Sequence, residues 1–512
     1  MSLDTKSTSK RIAKNTGVLY IRMLFLMAVG FYTSRVILQA LGVDDFGTYN
    51  VVGGFVAMFA VLSKSLSSAA SRFLNYEMGK GNDENLKKVF STTVNIQIVL
   101  AIIIAIFCEA VGIWFVNNKM VIAPDRLYAA NWVFQFSVFT FCSNLLTVPY
   151  NAAIIAHERM KAFAYVSIFE GIARLAISYA VMISPIDTLI FYAALICLLQ
   201  FSIQMMYVSY CKRHFEECTY HFVYDKPMLK EIFSYSGWNF IGTASATLRN
   251  QGGNILINLF FGPAVNAARA VANQVLQAVD GFAQNFMMAI KPQITQNYAS
   301  GNYEYMMTLV FKGSRMTYYL LYTLSLPILL NTEYLLDLWL EEVPDHAVLF
   351  VQLTLIFTML EHISGTLITA QLATGKIRNY QLVVGGLQML NLPISYIVYR
   401  LGGFAESFLI VAIICGIGCL FARLYMLRTM IDLKIRRFVK EVLLNILFVT
   451  IVSLIFPILL NHILTESFIS FICVSALALL CALLAIYFVG LDATEKKYSH
   501  QMLLKIKTKI IK

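Results

Sequence analysis

Long blocks of apolar residues alternate with short charged stretches along the whole chain. Each block has about twenty residues or more, the length that a helix needs to cross a hydrocarbon layer roughly 30 Å thick. The apolar residues run continuously and do not alternate at every second position, so the pattern predicts helices and not barrel strands. The blocks predict fourteen membrane spans: 15–41, 46–72, 88–116, 126–156, 160–184, 187–211, 231–260, 264–290, 309–331, 345–373, 377–400, 404–427, 438–461 and 467–490.

Composition agrees with this pattern. Of 512 residues, 58% are hydrophobic and only 13% are charged, whereas soluble proteins carry about 25% charged residues. A water-soluble globule is therefore excluded. The nine cysteines contain no Cys-x-x-Cys pair and lie mostly inside apolar runs, so we interpret them as small hydrophobic residues.

The net charge of +11 is a topology signal. With fourteen spans, the segments on one side of the membrane contain 31 Lys and Arg residues, and those on the other side contain three, Lys119, Arg126 and Arg400. Cytoplasmic loops are enriched in Lys and Arg. The distribution predicts a multi-pass membrane protein with both termini in the cytoplasm.

The chain contains a weak internal repeat. A shift of 220 positions superposes Gly17 on Gly237, Gly42 on Gly262, and the turn at Gly81 on the turn at Gly301. Six spans followed by six more give two lobes in the same orientation. We predict an all-α integral membrane protein with two six-helix lobes in a parallel pseudo-repeat and two C-terminal helices. The predicted segments are a cytoplasmic N-terminus (1–14), an N-lobe (15–211), a cytoplasmic linker (212–230), a C-lobe (231–427), spans 13 and 14 (428–490) and a basic cytoplasmic tail (491–512).

Ionisable residues inside a membrane are costly, which makes each one a candidate for function. Span 8 has a polar face within an arc of about 80°, formed by Asn266, Arg269, Asn273, Gln277, Asp280 and Gln284. Such a face either lines a water-filled cavity or forms a polar seam between helices. Because it contains Arg269 and Asp280, the cavity is favoured.

Three other basic residues extend this interpretation. The equivalent face of span 2 has small residues around Lys64, and Arg22 shares a polar face of span 1. Arg249 lies on span 7, on a different face from the polar stripe of that helix, which is formed by Asn239, Thr243, Thr247, Asn250, Asn254 and Asn258. Spans 1, 2, 7 and 8 together predict a central, net basic cavity. Glu170 and Arg174 are four residues apart on span 5, and we expect them to neutralise each other.

No motif of a soluble enzyme is present. The His157-Glu158 pair lacks the second histidine of a metalloprotease helix, and Gly416-x-Gly418 has no following phosphate-binding turn. The seven histidines show no metal-ligand spacing. The sequence therefore predicts a protein that is not an enzyme and that has no catalytic residue, metal site or cofactor.

Two segments resemble a known family. Span 1 carries an arginine and ends in Leu41-Gly42-Val43-Asp44-Asp45-Phe46-Gly47, and Phe261-Gly262-Pro263-Ala264-Val265-Asn266-Ala267-Ala268-Arg269 leads into span 8. Both resemble the polysaccharide-transporter (Wzx-type) flippases of the multidrug/oligosaccharidyl-lipid/polysaccharide (MOP) exporter superfamily. The resemblance extends over essentially the whole chain.

This resemblance implies a flippase that moves a polyprenyl-diphosphate-linked oligosaccharide from the inner to the outer leaflet by alternating access, for surface polysaccharide synthesis (O-antigen, capsule or exopolysaccharide). A diphosphate head group needs a hydrated cationic cavity. The candidate substrate-binding residues are Arg22, Lys64, Arg249, Arg269, Asn273 and Gln277. Asp280 and Glu361 are candidates for binding a coupling H⁺ or Na⁺, although Asp280 could instead pair with a neighbouring basic residue. The expected partners are the lipid-linked oligosaccharide, membrane lipids and the polysaccharide polymerase machinery, and no nucleic acid.

Two alternatives remain open. A cation-coupled multidrug antiporter of the same superfamily would share the fold, but its cavity should favour acidic residues, whereas the interiors of the spans, away from the residues at their ends, contain six basic residues against four acidic ones. A membrane glycosyltransferase or polymerase should have a large external loop or a sugar-nucleotide domain, and no loop here exceeds about 20 residues.

Overall fold

The computed structural model describes residues 2–57, 59–118, 120, 122–184, 186–340, 343–465 and 467–497. Over these ranges the chain is helical and contains no strand. The predicted all-α class is confirmed. The helices are α1 Ser2–Ala57, α2 Ala60–Lys80, α3 Asp83–Phe107, α4 Ile113–Asn118, α5 Leu127–Ala156, α6 Met160–Met182, α7 Thr188–His214, α8 Lys226–Ala299, α9 Tyr303–Leu330, α10 Thr332–Trp339, α11 Ala347–Ile363, α12 Gly365–Ala373, α13 Arg378–Met389, α14 Asn391–Arg400, α15 Ser407–Ile431, α16 Ile435–Phe438, α17 Asn445–Ile463 and α18 Phe468–Ala485.

Nine helical stretches of the described chain are long and apolar enough to cross a membrane. They include α5, α6, α7 and α15, and several are built from consecutive short helices, such as α11 with α12 and α13 with α14. The chain is therefore a multi-pass membrane protein. The count of fourteen spans stays a prediction, and most of the predicted basic tail, residues 498–512, lies outside the described part.

Two glycines break the two longest helices. Gly42 in α1 has φ 76° and ψ 172°, and Gly262 in α8 has φ 83° and ψ −177°. This backbone region is open almost only to glycine, because a β-carbon would collide with the chain. The two positions are 220 residues apart, as are Gly81 and Gly301, which both adopt positive φ. Two of the glycine pairs on which the predicted repeat rests therefore adopt positive φ in both halves of the sequence. Each break divides its helix into a first arm and a second arm.

The chain forms two compact units. Unit 1 contains residues 1–244 and 288–302, and unit 2 contains residues 245–287 and 303–512. In unit 1, α5 packs against α7 and α1 against α6, around buried apolar side chains that include Val52, Phe134 and Leu145. In unit 2, α11 packs against α9 and α15, and α13 against α15.

Both ends of α8 belong to unit 1. The Gln296 side chain donates to the Ala156 carbonyl at 2.9 Å and to Asn75 Oδ1 at 3.2 Å. Helix α2 approaches so closely there that a β-carbon at Gly79 would lie 2.8 Å from that of Ala299 and would collide with the backbone of Gln296. Glycine at position 79 thus permits backbone contact between α2 and the end of α8.

Polar contacts fix the last helices of unit 2 to α9. Tyr318 and Tyr322 on α9 make hydroxyl–hydroxyl hydrogen bonds to Thr450 at 2.9 Å and Ser453 at 2.7 Å on α17. Beyond α18, Asp492 forms an ion pair of 2.8 Å with Lys312. Burial alone would raise the pKa of the Asp492 carboxyl, but bonds from Lys312 and other donors outweigh it and lower this pKa to about 2. Asp492 therefore stays ionised and holds the segment that follows α18 against α9.

We predict that Gly262→Ala will destabilise the protein because alanine cannot adopt the conformation of the α8 break without strain of about 1–3 kcal/mol. The matched control is Gly237→Ala, which lies inside the first arm of the same helix. Neither position has a neighbouring atom within 4 Å of an added β-carbon, so the two variants differ in backbone conformation alone. Thermal unfolding of the purified protein should show a lower midpoint for Gly262→Ala and an unchanged or higher one for Gly237→Ala. Equal midpoints would contradict the non-helical backbone conformation of Gly262.

Candidate functional site

Arg269 lies buried within unit 2. It is on the second arm of α8, two turns after the break at Gly262, and only 6% of its surface is exposed. Its Nη2 donates to the carbonyl of Asn250 at 3.1 Å, and the guanidinium lies 4.5 Å from the centre of the Phe408 ring. Its Nη1 is buried and has no hydrogen-bond partner among the described residues. A buried guanidinium with an unused donor can bind an anionic group.

Gly253 makes room for this guanidinium. A β-carbon at Gly253 would lie 2.5 Å from Nη1 of Arg269 and would collide with the Phe408 ring. The two arms of α8 therefore approach at a residue without a side chain. Polarity and periodicity single out Arg269 but not Gly253 or Phe408. The Gly252-Gly253 pair inside an apolar helix was the available signal for close backbone packing.

Arg249 and Glu361 form an ion pair. Arg249 is on the first arm of α8 and Glu361 on α11, with 3.4 Å between Nη2 and Oε1. Arg249 is buried, and its guanidinium also lies 4.9 Å from the centre of the Phe357 ring. One predicted substrate-binding residue is thus brought together with one predicted ion-coupling residue. Arg423 of α15, which donates to Tyr380 at 3.2 Å, lies close enough for its charge to act on Glu361.

Asp280 pairs with His362. Its Oδ1 lies 2.6 Å from Nε2 of His362, and its Oδ2 accepts from Gln284 at 3.4 Å. The two side chains are 30% and 12% exposed. His362 follows Glu361 in α11, so consecutive residues contact the two arms of α8. The sequence analysis did not single out His362, because it lacks metal-ligand spacing, and its position beside Glu361 was the only signal.

In unit 1, Arg22 lies over the ring of Phe163 on α6, 4.4 Å from its centre. Lys64 on α2 is exposed and forms no ion pair with any described residue. Glu170 and Arg174 are joined at 2.8 Å, as expected from their spacing. On the second arm of α8, Asn273 is half-buried and Gln277 is exposed, whereas the side chain of Asn266 lies outside the described residues.

Charges in the predicted spans are thus unevenly partnered. The four acidic residues all have a donor: Glu109 accepts from Gln135, Glu170 from Arg174, Asp280 from His362 and Glu361 from Arg249. Among the described residues, Arg22, Lys64 and Arg269 have no carboxylate in an ion pair. The three basic side chains without a carboxylate partner make the arrangement suitable for an anionic ligand. No group of three or more potential metal ligands occurs in the described part.

Residues 12–298 match the family described as "Polysaccharide biosynthesis protein". The chain belongs to this family. The matched segment is more than half of the 512 residues and runs from within the first arm of α1 to the end of α8. The family resemblance inferred from the residues around Gly42 and Gly262 is confirmed. No curated protein sequence is significantly similar to this family member.

The fold of this family member is that of MOP superfamily transporters. The Vibrio cholerae MATE transporter VcmN in the bent form has a TM-score of 0.70 at 17% identity, over 83% of this chain and 98% of that one. An outward-facing multidrug resistance MATE transporter of the MOP superfamily gives 0.69 at 13% identity, over 82% and 96%. A MOP superfamily transporter from Pyrococcus furiosus, for which a reverse polarity of the binding pocket suggests a different function, gives 0.68 at 12%, over 82% and 96%.

We predict that Gly253→Ala will disturb the Arg269 site, because its methyl group must displace the guanidinium or the Phe408 ring. Overpacking of this kind costs about 1–3 kcal/mol. The matched control is Gly252→Ala, whose methyl group would lie 2.8 Å from the flexible side-chain end of Leu392, which can move. Thermal unfolding should show a lower midpoint for Gly253→Ala than for Gly252→Ala. The reverse order would contradict the close approach of the two arms.

Proposed function

We propose that this protein flips a polyprenyl-diphosphate-linked oligosaccharide from the inner to the outer leaflet of the bacterial cytoplasmic membrane, with both termini in the cytoplasm. The proposal rests on a difference between the acidic and the basic side chains inside the spans. Each of the four acidic residues inside the spans accepts a hydrogen bond from a neighbouring side chain, whereas Arg22, Lys64 and Arg269 have no carboxylate partner among the described residues and are available to an anion. A diphosphate is the anionic group that lipid-linked sugars of polysaccharide synthesis carry, and family membership supports such a substrate.

Arg269 and Lys64 have different tasks in this proposal. The fixed guanidinium of Arg269 presents Nη1 and can bind phosphate oxygens in a defined direction, whereas the flexible ammonium of Lys64 acts as a point charge. Arg22 supplies a third cation, and Asn273 and Gln277 supply amide groups for sugar hydroxyls. Arg249 is already neutralised by Glu361, so its contact with the diphosphate would require that ion pair to loosen.

A cation-coupled multidrug antiporter is the second candidate. The structural similarity to MATE transporters favours it. The residual charge opposes it, because a cationic drug would meet uncompensated arginine and lysine without a free carboxylate. The Pyrococcus furiosus protein supports the view that binding-pocket polarity separates functions within this fold.

The decisive experiment deletes the gene and analyses lipid-linked glycans. We expect polyprenyl-diphosphate-linked oligosaccharide to accumulate in the inner leaflet and surface polysaccharide to fall. Wild-type protein should restore delivery. Arg269→Lys should restore it in part, because the charge remains without the planar fork, and Arg269→Ala should restore less than a tenth. Wild-type delivery by well-expressed Arg269→Ala would refute the assigned role, and hypersensitivity to cationic drugs without glycan accumulation would favour the antiporter.

A further inference from the structure

We propose that Asp280 and His362 form a proton-binding pair and that H⁺ is therefore the coupling ion. This inference rests on the proposed function for its role in transport, but the proton site itself can be measured without transport. The pair consists of a carboxylate on the second arm of α8 and an imidazole on α11, 2.6 Å apart.

Hydrogen-bond chemistry identifies the atom that receives the proton. An ionised carboxylate only accepts hydrogen bonds, so the imidazole nitrogen that faces Asp280, Nε2, must carry a hydrogen. The other ring nitrogen, Nδ1, is then the free base in the neutral ring. A proton arriving from water adds to Nδ1 and produces an imidazolium facing a carboxylate, and its departure restores the neutral ring. No bond other than N–H forms or breaks.

The neighbouring arginines interact with Glu361, so His362 is the ionisable partner of Asp280. The neighbouring carboxylate, Glu361, is paired with Arg249 and also feels the charge of Arg423. With His362 neutral, the two arginines balance the two carboxylates, and a proton on the ring gives the cluster a single positive charge.

The other elements that pack against α11 bring no competing group. The basic residues of α9, Lys312 and Arg315, are held by Asp492 and Glu495. Helix α12 has no titratable residue. The acidic residues of α10, Glu333 and Asp337, precede the opposite end of α11, where Gln352 contacts the end of α9.

The ligand set does not suit Na⁺. Hard cations are held by several oxygen atoms, whereas both oxygens of Asp280 accept from nitrogen donors, one from His362 and one from Gln284. A sodium ion would have to displace both. A proton, in contrast, strengthens the contact with His362, because the bond then joins two opposite charges.

This pair can link proton binding to movement. It joins the second arm of α8 to the end of α11, and α11 stops one residue after His362, at Ile363. Protonation of His362 strengthens the contact with Asp280, and deprotonation weakens it. The arm that carries Arg269 is therefore held more firmly to α11 when the proton is bound.

The first test is nuclear magnetic resonance of protein labelled with ¹³C at histidine Cε1, titrated with pH in detergent micelles. His362→Asn identifies the resonance of His362 by its loss. We expect His362 to titrate in the wild type, and Asp280→Asn to weaken its proton affinity by about tenfold or more. The matched control is His462→Asn, which removes an exposed histidine of α17 and should leave the His362 titration unchanged. A His362 resonance that does not titrate, or that is unaffected by Asp280→Asn, would overturn the pair.

The second test uses proteoliposomes that contain a fluorescent polyprenyl-diphosphate-linked sugar, with an imposed pH or Na⁺ gradient. We expect wild-type flipping to change at least threefold with the pH gradient and not with Na⁺. His362→Asn and Asp280→Asn should lose this dependence, and His462→Asn should keep it. Retained dependence in both variants, or dependence on Na⁺, would overturn the coupling role while the flippase function stands. Absence of flipping by the wild type would refute the proposed function, and the magnetic resonance titration would still decide the proton site.

Discussion

An ionised side chain inside the hydrocarbon layer has to find a partner, because water cannot solvate it there. In this chain the rule is met for the acidic residues, which accept from arginine, histidine or amide donors. It is met only in part for the basic residues. Arg269 uses one nitrogen on a backbone carbonyl and rests on Phe408, and its other terminal nitrogen stays unbonded. Cations left in this state make the interior suitable for an anion.

Backbone geometry controls where these charges lie. The break at Gly262 turns α8 into two arms, and Arg249 and Arg269 are placed on opposite sides of that break. Gly253 then allows the arms to approach, which brings the guanidinium of Arg269 to the carbonyl of Asn250. Helix α11 contacts both arms through Glu361 and His362. A charged side chain on either arm is therefore coupled to the same short segment of α11.

Two positions that are 220 residues apart make similar contacts with different chemistry. Arg126 pairs with Asp187, which caps α7, and with Asp45. His346, 220 positions later, lies 2.6 Å from Glu406 beside the start of α15. Both pairs fasten the loop before one helix to the start of another. The first pair uses a cation of fixed charge, whereas the second depends on protonation of histidine.

The sequence by itself determined the helical class and the family. Apolar length and continuity leave a membrane chain no other regular structure, and glycine is the residue that the breaks at Gly42 and Gly262 require. The polar face of α8 was also visible, because helical periodicity places Arg269 and Asp280 on one side of that helix. Only the tertiary structure decided which side chains meet. The partner of Asp280 lies 82 positions away and that of Arg249 lies 112 positions away. A helix's own pattern states which residues share a face, but not how a distant helix is rotated towards that face.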